Sequence, residues 1–161
     1  MKIYFKIFLL AISFNCIFSF CFCQSADEYN KYGYYRNKAK EYDSGIYFFN
    51  KAIKLNPNNA SFYIGRGYSE TRLKKYSEAM DDFRNALSLD SNNAIAYYNM
   101  ACIYSLKKDT KNAFLFLKKA AAKWTYEYDD FSETLKTDSD LNFVRKQKEF
   151  PRFLRKYSPS Q

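Results

Sequence analysis

Histidine is missing from this chain of 161 residues, and glycine occurs only four times. Without histidine there is no Ser-His-Asp or Cys-His arrangement, and the zinc pattern His-Glu-x-x-His is impossible. The four glycines, Gly33, Gly45, Gly65 and Gly67, supply neither Gly-x-x-x-x-Gly-Lys-Ser nor Gly-x-Gly-x-x-Gly. Gly65-Arg66-Gly67 falls inside a predicted helix with no strand before it, which excludes a phosphate loop. Cysteine is scarce too: Cys16, Cys21 and Cys23 sit near the start, and only Cys102 lies beyond. One cysteine builds no disulfide framework, so the fold must rest on its apolar core. Cys102 itself has neither a histidine to lower its pKa nor a resolving partner, and reads as a small apolar residue. The acidic pairs Asp81-Asp82 and Asp129-Asp130 are chain neighbours that diverge by about 100° on a helix, so they read as solvated surface. Nothing here calls for a cofactor or a metal, and an enzyme is not expected.

What the chain does have begins with an apolar leader. Lys2 and Lys6 are followed by a nearly unbroken apolar run from Ile7 to Phe22, then by polar Gln24-Ser25-Ala26-Asp27-Glu28. Basic start, apolar centre and polar exit are the parts of a secretory signal peptide. The run is short for a membrane span of about 17–25 residues. Residues 1–23 are therefore expected to be a cleaved leader, and the protein to be exported, periplasmic or secreted. The alternatives are an uncleaved anchor or a lipidated cysteine, which would make a membrane-tethered subunit of an envelope assembly. The net charge of +9, two units of it from Lys2 and Lys6, favours acidic partners or an anionic membrane surface. For an exported protein it does not argue for nucleic acid.

The remainder repeats every 34 residues. Gly45, Ile46, Phe49, Ala52 and Ile53 recur as Ala79, Met80, Phe83, Ala86 and Leu87, and again as Ala113, Phe114, Leu117, Ala120 and Ala121. The spacing i, i+1, i+4, i+7, i+8 draws one stripe along an α-helix. Ahead of each stripe stands an aromatic residue, with a very small one four positions on: Tyr29 and Gly33, Tyr63 and Gly67, Tyr97 and Ala101. Asn56-Pro57-Asn58-Asn59 and Asp90-Ser91-Asn92-Asn93 close the first two units, and each final Asn is placed to cap the next helix. Within units, Asp43 and Ser77 are expected as N-caps of the second helices, with Asp109 or Thr110 in the third.

Tyr63, Gly67, Tyr76, Ala79, Phe83 and Ala86 with Leu89-Asp90-Ser91-Asn92-Asn93 resemble a tetratricopeptide repeat. The first unit resembles it through Tyr29, Gly33, Tyr42, Phe49, Ala52 and Pro57, and the third through Tyr97, Met100, Ala101, Tyr104, Ala113, Leu117 and Ala120. The resemblance implies an all-α fold of antiparallel helix pairs stacked as a right-handed solenoid. Its units are 26–59, 60–93 and 94–124, with a capping segment and basic tail over 125–161. It also implies an adaptor that binds a protein or peptide in a groove lined by the first helices. Carried over by register, the groove candidates are Asn30, Tyr34 and Asn37, then Ile64, Tyr68, Thr71 and Arg72, then Tyr98, Cys102 and Ser105.

Two further expectations concern what covers the ends. Leu141, Val144, Phe150, Phe153 and Leu154 are available to close the last helix pair, while Arg145, Lys146, Lys148, Arg155 and Lys156 face water. Asp138 or Ser139 is expected to cap a helix beginning near Asp140. Tyr47 and Phe48, like Leu115 and Phe116, lie one step off the core stripe, where the middle unit has Asp81 and Asp82. The tail is expected to cover Leu115 and Phe116, and Tyr47 and Phe48 to form an exposed contact patch.

Overall fold

A computed structural model describes residues 25–125 and 130–157. The expected leader, with its possible cleavage site and its three cysteines, lies outside the described residues, as does Asp129. The repeat appears as three helix pairs: α1 (Ala26–Lys38) with α2 (Tyr42–Leu55), α3 (Ala60–Arg72) with α4 (Tyr76–Leu89), and α5 (Ala94–Leu106) with α6 (Thr110–Ala121). Shorter helices follow: α7 (Phe131–Thr137), a 3-10 turn at Ser139–Leu141, α8 (Asn142–Arg145) and α9 (Phe150–Tyr157). No strand occurs among the described residues, and none of their helices is long and apolar enough to cross a membrane.

The recurring stripe is the core. Phe49, Ala52, Ala79, Phe83, Ala86, Ala113, Leu117 and Ala120 are fully buried. Small residues opposite the rings set the close approach of the helices. A Cβ on Gly33 would stand 2.7 Å from the Phe49 ring, and one on Gly67 2.8 Å from the Phe83 ring. Phe49 also presses on Gly65 of the next unit, so one aromatic wedge joins two repeats.

Helix starts follow local chemistry at two unit boundaries and within the third unit. Asn59 accepts from the Ser61 N–H, Asn93 from the Ala96 N–H, and Asp109 from the Asn112 N–H. Asp43 and Ser77 do not cap: they sit inside the first turns of α2 and α4, which follow Glu41 and Lys75 without a side-chain cap. A left-handed lysine precedes each second helix at Lys40, Lys74 and Lys108. It turns the chain so sharply that the helix has already begun by Tyr42 and Tyr76.

The tail closes the third unit, but differently from expectation. Leu135, Leu141 and Val144 are fully buried against Ala101, Ala113, Leu117 and Ala120. Leu115 remains 44% exposed, while Phe114 meets Phe153 at 5.4 Å between ring centroids. Phe116 stacks on Tyr104 at 5.3 Å and borders both the joint to the second unit and the core that the tail closes. Arg145 turns inward, donating to the carbonyls of Leu135 and Asp138 at 3.2 and 2.5 Å. Lys146, Lys148, Arg155 and Lys156 are exposed. Asp82 is also buried, contrary to the reading of its pair as solvated surface. Arg66 grips it at 2.7 and 2.6 Å, and only Asp81 faces water.

Candidate binding groove

The first helices α1, α3 and α5 stand side by side and form the inner wall on which the ten candidates lie. Two of these side chains fasten one helix to the next, and a third is spent within its own helix. Asn37 donates to the Gly65 carbonyl at 3.2 Å and accepts from the Ser69 hydroxyl at 2.7 Å, tying α1 to α3 in a buried joint. Ile64 is buried against Ala96, Met100 and Ile103 of α5. Thr71 is buried and closes on the Gly67 carbonyl of its own helix at 2.8 Å.

Two of the third-unit candidates, Tyr98 and Cys102, lie beneath the tail. Tyr98 donates to Asp138 Oδ2 at 2.6 Å, and its ring meets Trp124 and Phe131 edge-on at 5.6 and 6.4 Å. Burial, with the neighbouring thiol and carboxylate, pushes the Tyr98 hydroxyl pKa well up. Cys102 is buried with its sulfur 3.9 Å from the same Asp138 oxygen, and burial raises the thiol further from ionisation. Ser105 is fully buried, and its hydroxyl has no partner among the described residues. The tail also reaches the second unit, where Arg72 forms an ion pair with Asp140. Asp138 Oδ1 meanwhile accepts from the Asp140 N–H at 2.8 Å, so one carboxylate caps the 3-10 turn and holds Tyr98.

The open part of the wall therefore belongs to the first two units. Tyr34 is 45% exposed, edge-on to Phe49 at 5.4 Å, with its hydroxyl 3.5 Å from the Ser61 carbonyl. Tyr68 is 38% exposed, 6.5 Å from the Tyr42 ring, with the Arg72 guanidinium 5.5 Å over its face. Partial burial raises both tyrosine pKa values, and Arg72 opposes the shift at Tyr68. Asn30 is half-buried with its Oδ1 unpaired, and Arg72 Nε is also without a partner. Two amphipathic rings flanked by amide and guanidinium groups suit contact with a peptide. Among the described residues no cluster of carboxylates and thiols is placed to hold a metal.

The sequence did not reveal Asp138 and Asp140 as occupants of this wall. Asp138 was legible only as a helix cap, and no local pattern tells that its second oxygen meets a tyrosine 40 residues away.

Comparison with known proteins agrees with this architecture. A family model described as TPR repeat matches residues 67–108. No curated protein matches the chain. Among solved structures, the TPR domain of Arabidopsis OM64 superposes with a TM-score of 0.60 at 20% identity, over 82% of this chain and 95% of that one. The TPR2B domain of yeast Sti1, in a structure titled as its complex with pHsp70, gives 0.65 at 23% identity, over 76% and 98%. YrrB, described as a TPR protein with an unusual peptide-binding site, gives 0.60 at 20% identity, over 71% and 58%. The chain carries tetratricopeptide repeats and folds as their solenoid.

Proposed function

We propose that this tetratricopeptide solenoid is an exported adaptor that binds a peptide segment of a partner protein on the open wall of its first two units. One observation carries the reading: Tyr34 and Tyr68 stay exposed on the inner wall, while the third unit's share of that wall is filled by the chain's own tail. Tyr34 and Tyr68 are the contacts, with Asn30 and the Asp140-paired Arg72 beside them on the wall. Exposed tyrosines offer large rigid contact area at little entropic cost, which is how a few residues come to dominate binding. The solved relatives named for pHsp70 and for a peptide-binding site support the mode of action on the same fold.

Affinity capture from the exported fraction, compared between the wild type and a Tyr34→Ala plus Tyr68→Ala variant, tests the site. Loss of about tenfold or more in retained partner is expected for two such anchors. Capture that is undiminished while the variant keeps its helical circular dichroism would remove the inner wall from consideration. Export is tested separately by reading the mature N-terminus by intact mass. A chain that retains residues 1–23 would replace the released adaptor with a membrane-tethered one.

A further inference from the structure

Among the described residues, the two ends of the solenoid are finished unequally. Repeat register identifies the residues that seat each unit on the one before it. In the second unit they are Tyr63, Arg66, Glu70 and Asp82, with Arg66 reaching Asn50 of α2 at 2.5 Å. In the third they are Tyr97, Met100, Tyr104 and Phe116, which pack with Met80 and Leu87 of α4 or border them. The same positions in the first unit hold Tyr29, Tyr32, Arg36 and Phe48, and no described helix covers them. Solenoids end in polar caps where water is the neighbour. The far end has its cap in α7 to α9, whereas this end keeps an aromatic cluster. Phe48 lies 6.4, 5.5 and 5.3 Å from the rings of Tyr29, Tyr32 and Tyr47. Tyr32 and Tyr47 are 43% and 55% exposed.

Charge placement says what fits this face. Along α2, Asp43 precedes Tyr47 by four residues and Lys51 follows it by four, so all three share one side of the helix, along the outer edge of this end face beside Phe48. Lys51 lies 5.4 Å over the Tyr47 ring, and Asp43 is 83% exposed with only a loose 3.8 Å contact to Lys75. A run of acid, aromatic and base centred on one residue is complementary to its own reversal. We infer that this end face is the interface of a two-fold dimer, in which α2 of one copy lies antiparallel to α2 of the other about Tyr47. Asp43 of each copy then meets Lys51 of its mate, and the two Tyr47–Phe48 pairs cover each other. Neither an anionic bilayer nor a wholly acidic partner would use Asp43. The closed symmetry stops at two copies and leaves both inner walls open. Two helices about 20 Å long give a face whose pairing buries roughly 1,000 Å² in all, at the lower limit of specific interfaces. A reversible dimer in the micromolar range follows.

The test is sedimentation velocity on the natively purified protein, its N-terminus read by intact mass, over about 1–200 μM. A monomer–dimer equilibrium is expected for the wild type. Asp43→Lys sets lysines at 43 and 51 against each other, and Lys51→Asp does the same with aspartates. Each single variant should associate about tenfold more weakly, with an unchanged thermal melt because both side chains are exposed. An equimolar mixture of the two variants should recover the dimer as a heterodimer, since each lysine then faces an aspartate. A wild type that stays monomeric throughout would overturn the inference, and would mean that residues 1–24 or an unrelated partner occupies the face. It would equally be overturned by single variants that dimerise as the wild type does, or by a mixture that stays monomeric.

Discussion

Arg66 of α3 organises the second unit at the level of single residues. Its guanidinium holds Asp82 with two bonds and Asn50 with a third, and so pins α3 to the helices on both sides. Glu70 stands one turn further along α3, with an Oε2 that has no partner. Burial, then the charge of Asp82, lifts its pKa to about 7; Arg66 opposes the shift, and Glu78 adds to it. The sign follows from the folded value lying above the ordinary 4.5. Glu70 binds its proton more tightly when folded, so its contribution is complete below about pH 4.5 and fades as pH rises through 7. Glu70→Gln imitates the protonated carboxyl and removes this dependence. The variant should melt with the wild type near pH 4.5 and above it by pH 8, by about 1 kcal/mol after allowance for the water that still reaches the site. Melting curves at both pH values decide, and a gap of constant size would assign the effect to packing instead. The cluster was illegible beforehand because the two neighbouring aspartates look alike in sequence. Only the fold brings an arginine 16 residues away to one of them.

At the scale of elements, the three hairpins repeat a conformation that composition conceals. Each first helix ends in a left-handed lysine, with φ of 62° at Lys40, 62° at Lys74 and 61° at Lys108. The next N–H then reaches back five residues: Glu41 to the Arg36 carbonyl at 2.9 Å, Lys75 to Glu70 and Asp109 to Tyr104 at 2.8 Å each. This closure usually places glycine at the left-handed position, because a Cβ there costs about 1–2 kcal/mol. Lys74→Gly is therefore expected to stabilise the protein by ~0.5–1 kcal/mol, the strain relief less the added freedom of the unfolded chain. A urea melt of the variant measures it, and a lower midpoint would show that the lysine side chain contributes more than its backbone costs. The caps at Asn59 and Asn93 were legible because asparagine ahead of an apolar run is itself the signal. The lysine turns were not, and with them went the expectation that Asp43 and Ser77 would cap. Lysine carries no turn signature, so only the repetition of the site reveals it.

For the whole molecule, the tail decides how the third unit stands. Helix α5 buries Ala96, Met100 and Ile103 toward the second unit and Tyr98, Ala101 and Cys102 toward the tail. A helix apolar on both sides needs a cover on both sides. That a cover follows was legible in Leu141, Val144, Phe150 and Phe153. Its path was not, because the placement rests on Asp138 and Asp140 meeting Tyr98 and Arg72 from distant parts of the chain. The Arg72–Asp140 pair carries the tail past the last unit onto the second, so the cover binds two repeats together. Leu141→Ala should then cost about 2–5 kcal/mol, as for other fully buried leucines, whereas Leu115→Ala on the exposed face should stay within about 0.5 kcal/mol. In a solenoid each unit contacts only its neighbours, so the damage should be graded along the chain. Native-state hydrogen exchange on Leu141→Ala is expected to show protection lost first in α5 and α6, next in α3, and least in α1 and α2. An even loss across all six repeat helices would mean that the solenoid unfolds as one unit, with the tail as a cooperative part of a single core and not as the lid of its last repeat.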